Sequence, residues 1–215
     1  MEAFVYFLIT LALSIALAPK PKAPKAAAIE DFDIPTAEEG RPIPVVFGDV
    51  VVGGPNVLWY GDLKINAIKK RSGFSKATVG YKYELGFHAG ICHGPVDAVT
   101  ALVWDDKIAW SGEITETDSA QVNDSEFFGG ESRGGGISGD FDLLFGDDTQ
   151  GLNSYLLSQI PSDLPAYRGI LSLVWNRGWI GNSEYLKPVA LRVRRILAGW
   201  QSAVWYPEKA EVGGG

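Results

Sequence analysis

The chain has 215 residues, of which 26 are acidic and 19 basic, for a formal charge of −7. At 46% hydrophobic and 21% charged it carries enough apolar material for one cored domain with an arm, and its acid excess argues against a general nucleic-acid binder. A single cysteine, Cys92, excludes an intramolecular disulfide framework and any all-cysteine zinc or iron–sulfur site within one chain; with only two histidines beside it, composition leans away from an enzyme.

Residues 3–18 (AFVYFLITLALSIALA) contain no charge and are interrupted only by Thr10 and Ser14. As a helix this segment is hydrophobic all round, so it needs lipid, copies of itself or a protein channel around it. Sixteen residues rise about 24 Å, short of the roughly 20 residues that a bilayer core requires. Ala16-Leu17-Ala18 looks like a signal-peptidase site, yet the preceding Met1-Glu2 has no positive charge. A retained helix packed with copies or a partner, a membrane anchor and a signal are the three readings. Residues 19–39 open with alternating Pro and Lys (Lys20, Lys22, Lys25), a semi-rigid extended spacer whose lysines could meet lipid headgroups.

The body reads as mainly β (α+β), a β-rich domain over 40–210 with one or two short helices and a Gly-rich tail over 211–215. Residues 43–52 are rich in β-branched side chains, with Gly48-Asp49 as a turn or bulge. Strands are expected at 57–60 and 63–68, either side of Gly61-Asp62. Over 77–92 the alternation puts Val79, Tyr81, Tyr83, Leu85, Phe87, Ala89 and Ile91 on one face, and Lys82, Glu84, Gly86, His88 and Gly90 on the other. Residues 96–110 form a hairpin with Asp105-Asp106-Lys107 at its tip. Residues 111–148, acidic and Gly-rich, predict a long contact-making loop or a pair of short strands around Phe127-Phe128 and Ile137. The best helix is 149–160, capped by Asp147, Asp148 or Thr149 and ended by Pro161, with Leu152, Tyr155, Leu156 and Gln159 at helical spacing. Strands return at 167–175 and 186–196. No period of 20–50 residues repeats.

Candidate chemistry is thin. His88, Cys92 and His93 could offer two metal ligands, but a strand sends Cys92 and His93 to opposite faces and no second ligand pair stands elsewhere. Adjacent residues on one strand cannot meet as a Cys–His catalytic pair, so Cys92 reads as a buried small thiol. Asp140, Asp142, Asp147 and Asp148 lack the ligand order of a calcium loop. The stretch GGESRGGG (129–136) lacks the Lys-Ser/Thr of a phosphate loop. No catalytic, cofactor-binding or metal residue is therefore assigned.

The charge map says more. Lys64, Lys69, Lys70, Arg71, Lys76 and Lys82 follow one another with no intervening acid, and Lys187, Arg192, Arg194 and Arg195 form a second basic group. Between Asp105 and Asp148 twelve acids face two bases. Such patches either neutralise one another within the fold or set the register between copies packed head to side.

A set of short motifs then stands in order: Gly40-Arg41-Pro42-Ile43-Pro44-Val45-Val46-Phe47-Gly48, Asn56-Val57-Leu58-Trp59-Tyr60-Gly61-Asp62-Leu63, Tyr81 to His88, Cys92-His93-Gly94-Pro95-Val96-Asp97 and Trp104-Asp105-Asp106-Lys107-Ile108-Ala109-Trp110. Tyr185-Leu186-Lys187-Pro188 and Trp205-Tyr206-Pro207-Glu208-Lys209-Ala210 complete it. Over residues 40–210 the chain resembles the opening part of tail-tip, or baseplate hub, proteins of long-tailed (siphophage-type) bacteriophages. The resemblance implies a structural virion protein at the distal end of the tail, helping to close the tail tube and to assist host attachment or DNA ejection, with no catalytic residue to carry over. Its implied partners are copies of itself, as a trimer, and other tail-tip proteins; tape-measure protein or host membrane would meet residues 3–18, and no specific nucleic acid is expected. Many such hub proteins continue into further domains. Two other classes compete: a membrane-anchored envelope protein with a periplasmic β-domain, and a tail-associated cell-wall hydrolase, which would need a cleft of paired carboxylates.

Overall fold

Period-two alternation of apolar residues dominates the body, and the computed structural model, which describes residues 24–32, 34, 42–72 and 75–196, is mostly β strand with one short helix. Among the described residues nine strands run in chain order: β1 Gly48–Gly53, β2 Asn56–Ser72, β3 Ser75–His93, β4 Ala98–Trp104, β5 Lys107–Ile114, β6 Asp118–Asp124, β7 Ile137–Leu144, β8 Ile170–Trp179 and β9 Val189–Arg195. Helix α1, Ser154–Gln159, lies between β7 and β8. The apolar segment 3–18, the spacer before residue 24 and the Gly-rich tail lie outside the described residues. Among the described residues no helix is long and apolar enough to cross a membrane.

The strands form two antiparallel sheets, one in the order β1-β9-β4-β5 and the other β2-β3-β8-β7-β6. Rings bridge the sheets: Trp104 of β4 meets Phe87 of β3 at 5.8 Å and Trp175 of β8 at 4.9 Å, and Trp110 of β5 meets Phe141 of β7 at 5.7 Å, each edge to face. Such pairs add about 0.5–1.5 kcal/mol each beyond their burial. Leu102, Leu191, Val193, Leu171 and Leu173 fill the space around them.

The larger sheet is covered on its outer face too. Leu144, Leu156 and Val174 form a small second core there, with Trp59, Tyr155 and Leu164 against it. This explains a departure from the expected alternation in β3. Gly86 and His88, placed by period on a polar face, are fully buried beneath the chain between β7 and β8. Gly86 is required there, because a β-carbon would stand 2.0 Å from the Tyr155 hydroxyl.

Other departures have local causes. Residues 43–47 are not strand, and β1 begins only at Gly48, whose φ of 82° suits glycine. The two strands expected around Gly61-Asp62 are one, β2, in which Asp62 takes a left-handed φ of 52° at a register shift between Gly61 and Lys64. The hairpin at 96–110 is β4–β5; Asp105 and Asp106 both have left-handed φ, as a two-residue type I′ turn demands, and Lys107 already belongs to β5. Helix α1 is shorter than expected and is capped by Asn153, whose side chain accepts from the Leu156 N–H at 2.9 Å.

Of the two readings of 111–148, the long loop is corrected, while the pair of short strands is found at Asp118–Asp124 and Ile137–Leu144. The segment comprises the end of β5 and the whole of β6 and β7, and β7 pairs β8 across the body of the larger sheet. Phe127 and Phe128 lie in the loop between β6 and β7, buried against each other and held by lysines. Lys107 donates to the Phe127 carbonyl at 3.0 Å, and Lys187 sits 4.8 Å from the Phe128 ring. Part of the expected spacer also belongs to the body. Ala27, Phe32 and Ile34 are buried, the Phe32 ring meets Tyr83 edge to face at 5.4 Å, and the Tyr81 hydroxyl donates to the Pro24 carbonyl.

Candidate functional site

Of the three residues singled out as candidate ligands, His88 and Cys92 lie in the core and His93 at the surface. His88 is fully buried, with neither ring nitrogen hydrogen-bonded, and its ring meets Tyr167 edge to face at 4.4 Å. Burial pushes its pKa down to about 4, so it is neutral at physiological pH. Cys92 is fully buried; burial pushes its thiol up to about 11, with the Arg195 charge pulling the other way. His93 ends β3 exposed, so the strand does send it and Cys92 to different environments. Among the described residues no three His, Cys, Asp or Glu side chains gather as metal ligands would.

The Gly-rich stretch 129–136 closes on itself. Gly130 and Gly135 form an isolated bridge, and the amides of Gly129, Gly130, Gly134 and Gly135 donate to carbonyls of the same loop. Asn182 pins it by donating to the Glu131 carbonyl at 3.0 Å. These glycine amides are thus already engaged, and Gly129, Gly130 and Gly135 serve positive-φ turns.

Tyr155, Asp62 and Arg177 form a second polar cluster that the sequence did not single out. The Tyr155 hydroxyl donates to Asp62 at 3.1 Å and accepts from the Arg177 N–H, while the Arg177 guanidinium donates to Asp62 at 2.9 Å. Burial pushes the Tyr155 phenol up to about 12. The cluster anchors α1 on the bulge of β2; residues 62, 155 and 177 come together only when β2 and β8 pair on either side of β3, and no local motif announces that.

Surface charge is where the molecule has unspent chemistry. Three of the four cations of the second basic group are neutralised inside the fold: Lys187 bonds Asp105 at 2.9 Å, Arg192 bonds Asp49 in a two-pronged pair, and Arg194 bonds Glu113, while Arg195 donates to the His93 carbonyl. The first group divides. At its root Lys64 pairs with Glu84 and Lys82 with Glu131. Further out, Lys69, Lys70, Arg71 and Lys76 are exposed and have no acidic partner among the described residues. They stand on an arm, because beyond Tyr83 the backbones of β2 and β3 bond only to each other among the described residues.

An acidic groove of about 610 Å³ opens on the opposite edge of the larger sheet, lined by Asp118, Asp142, Asp147, Gln150, Asn153 and Asn176 among others, and by no basic residue. Both oxygens of Asp142 are engaged: Ser119 donates to one at 2.8 Å and Asn153 to the other at 2.6 Å. Of the acids singled out in the sequence, Asp142 and Asp147 come together here, Asp140 lies exposed on the same strand as Asp142, and Asp148 lies exposed beside Asp147.

No protein-family profile matches this sequence, and no curated protein matches it. Among solved structures it is similar to a chain described as the virion of a native gene transfer agent particle, at 15% identity and a TM-score of 0.43, over 86% of this chain and 33% of that one. The chain therefore spans about a third of the length of that virion chain, and a likeness this low assigns neither family nor function.

Proposed function

We propose that the chain is a structural component of a phage-type virion, placed at the distal end of the tail as part of the tail tip or hub. There it helps to close the tail tube and assists host attachment or DNA ejection, without catalytic turnover, metal or cofactor. The observation that carries this reading is a surface whose unneutralised charge is sorted into a basic arm and an acidic face, over a core in which His88 and Cys92 are made unreactive by burial. The motifs behind the tail-tip resemblance support it: Gly61-Asp62 makes the bulge of β2, Tyr83 to His88 forms the buried stretch of β3, and Asp105-Asp106 makes the hairpin turn. These residues set the shape of the strands and turns, which suits a protein whose work is assembly.

Its partners are copies of itself around a threefold axis, other tail-tip proteins and, through residues 3–18, the tape-measure protein in the lumen or the host membrane. Mass spectrometry of purified particles, with a density map of the tail end, tests the reading. The chain is expected in the particle at the tip; its absence from particles, or its presence in bacterial membranes without phage, overturns it. Purified protein is expected to clear neither peptidoglycan nor nucleic acid. Clearing that is abolished by Asp118→Asn or Asp147→Asn would instead make the groove the cleft of a cell-wall hydrolase.

A further inference from the structure

We infer that copies of this chain associate heterologously, the basic tip of one β2–β3 arm seating in the acidic groove between β6, β7 and the 147–154 turn of the next. This deepens the assembly reading above and rests on it for self-association.

The arm is a two-stranded ribbon about seven residues long beyond its root, or roughly 20 Å. A ribbon with no third strand is marginal in water, so it gains by lying against another surface. Its tip carries four exposed cations, Lys69, Lys70, Arg71 and Lys76, that the fold leaves unneutralised among the described residues, whereas Lys64, Lys82, Lys187, Arg192 and Arg194 are each paired with an acid and the half-buried Arg195 donates to the His93 carbonyl. The groove offers the complement: Asp118, Asp142 and Asp147 within it, exposed Glu116, Asp140 and Asp148 around it, and no base among its lining residues. Apolar side chains match as well, with Val79 about half exposed on the arm and Leu152 equally exposed at the groove.

The arm cannot satisfy its own groove. It leaves from the β2–β3 edge and runs past the Trp179 end of β8, whereas the groove lies at the β6–β7 edge beside Asn176, with β8 between. A contact between two different surfaces of one molecule is heterologous and closes into a ring when its rotation allows. Nucleic acid or an anionic lipid surface would satisfy the tip but would leave the groove without a partner; a second copy accounts for both. Exposed ion pairs of this kind set register and encounter rate and are screened by salt.

The test uses the full chain with four charge designs, each checked for unchanged circular dichroism and melting. They are wild type, tip-reversed (Lys69→Glu, Lys70→Glu, Arg71→Glu, Lys76→Glu), groove-reversed (Asp118→Lys, Asp147→Lys, Asp148→Lys) and the combination of both. Association is read as energy transfer between differently labelled copies. Wild type is expected to associate at about 50 mM salt and to weaken about tenfold at about 500 mM. Each single reversal is expected to lose association, and the combination, whose tip and groove are again opposite in sign, to regain it. Wild type that stays monomeric at low salt, single reversals without effect, or a combination that does not recover overturns the inference. So does tip-dependent binding of a DNA duplex or of anionic vesicles while self-association ignores the groove reversal. Absence of the wild-type chain from particles with intact charge-swap behaviour would sink the tail-tip reading and leave this contact standing.

Discussion

His88 sits where solvent does not reach, and its ring nitrogens meet no hydrogen-bond donor or acceptor among the described residues. Its folded pKa of about 4 lies below the ordinary value of 6.5, so the unfolded chain takes up the proton first. Stability is then full above pH 6.5 and falls as the pH drops towards 4. Linkage makes this loss roughly 2–3 kcal/mol by pH 4.5. Denaturant unfolding at pH 7 and pH 4.5 should show it, and His88→Leu should remove that share of the difference; an unchanged pH dependence would show that His88 ionises freely. Cys92 makes a parallel case. Native protein should resist a thiol reagent and react only on unfolding, and Cys92→Ala should cost about 1 kcal/mol, typical of point mutants, while leaving assembly intact. Rapid labelling of the folded chain, or stoichiometric bound zinc, would contradict it. Sequence legibility at this scale was uneven. Cys92 was readable as a buried thiol from its place in an apolar run, but the burial of His88 was not, because the cover on that face comes from Tyr167, far along the chain.

The segment 24–34 changes character between sequence and structure. Pro and Lys spacing reads as a free tether, yet Ala27, Phe32 and Ile34 are core residues against Tyr83. Removing residues 1–23 should therefore leave the β-body folded, whereas Phe32→Ala should destabilise it by about 3 kcal/mol, as aromatic truncations in cores do. Comparing the two by thermal and denaturant unfolding decides the matter; equal stability would return the segment to the role of tether. The strands β6 and β7 show the opposite case. Asp140 and Asp142 alternate with Phe141 and Leu143, a strand pattern, yet the density of acids and glycines left a long loop standing beside the pair of short strands as a reading. The glycines belong to the 129–136 turn and the acids to the outer face of the sheet, so each composition signal was real and pointed to a different place.

For the molecule as a whole, charge separates folding from assembly. Glu116, Asp118, Asp140 and Asp148 are exposed and form no ion pair among the described residues, so their neutralisation to Gln or Asn should lower melting temperature little, each exposed group contributing well under about 1 kcal/mol. It should impair incorporation into particles more, as counted by mass spectrometry of assembled tails; equal losses would show that these acids only support their own domain. The apolar segment 3–18 belongs to the same scale. Leu11→Asp should yield particles that assemble poorly or fail in ejection, because a buried unpaired charge is costly in protein and in lipid alike. Normal assembly and infection by Leu11→Asp particles, or mature particles lacking the first eighteen residues, would remove the segment from the assembly.

The sequence by itself determined the mainly β class, the hairpin turn at Asp105-Asp106, the helix around Leu156 and the existence of a basic stretch without acids, since each depends on neighbours within a few residues. Only tertiary structure decided which charges remain free. Arg192 is neutralised by Asp49 because β9 lies beside β1, and Arg194 by Glu113 because β5 lies just across β4 from β9, while Lys69 to Lys76 stay bare because β8 ends before the arm does. Strand order and strand length are properties of long-range pairing, and the partition of the surface into a spent patch, a bare arm and an acidic groove follows from them.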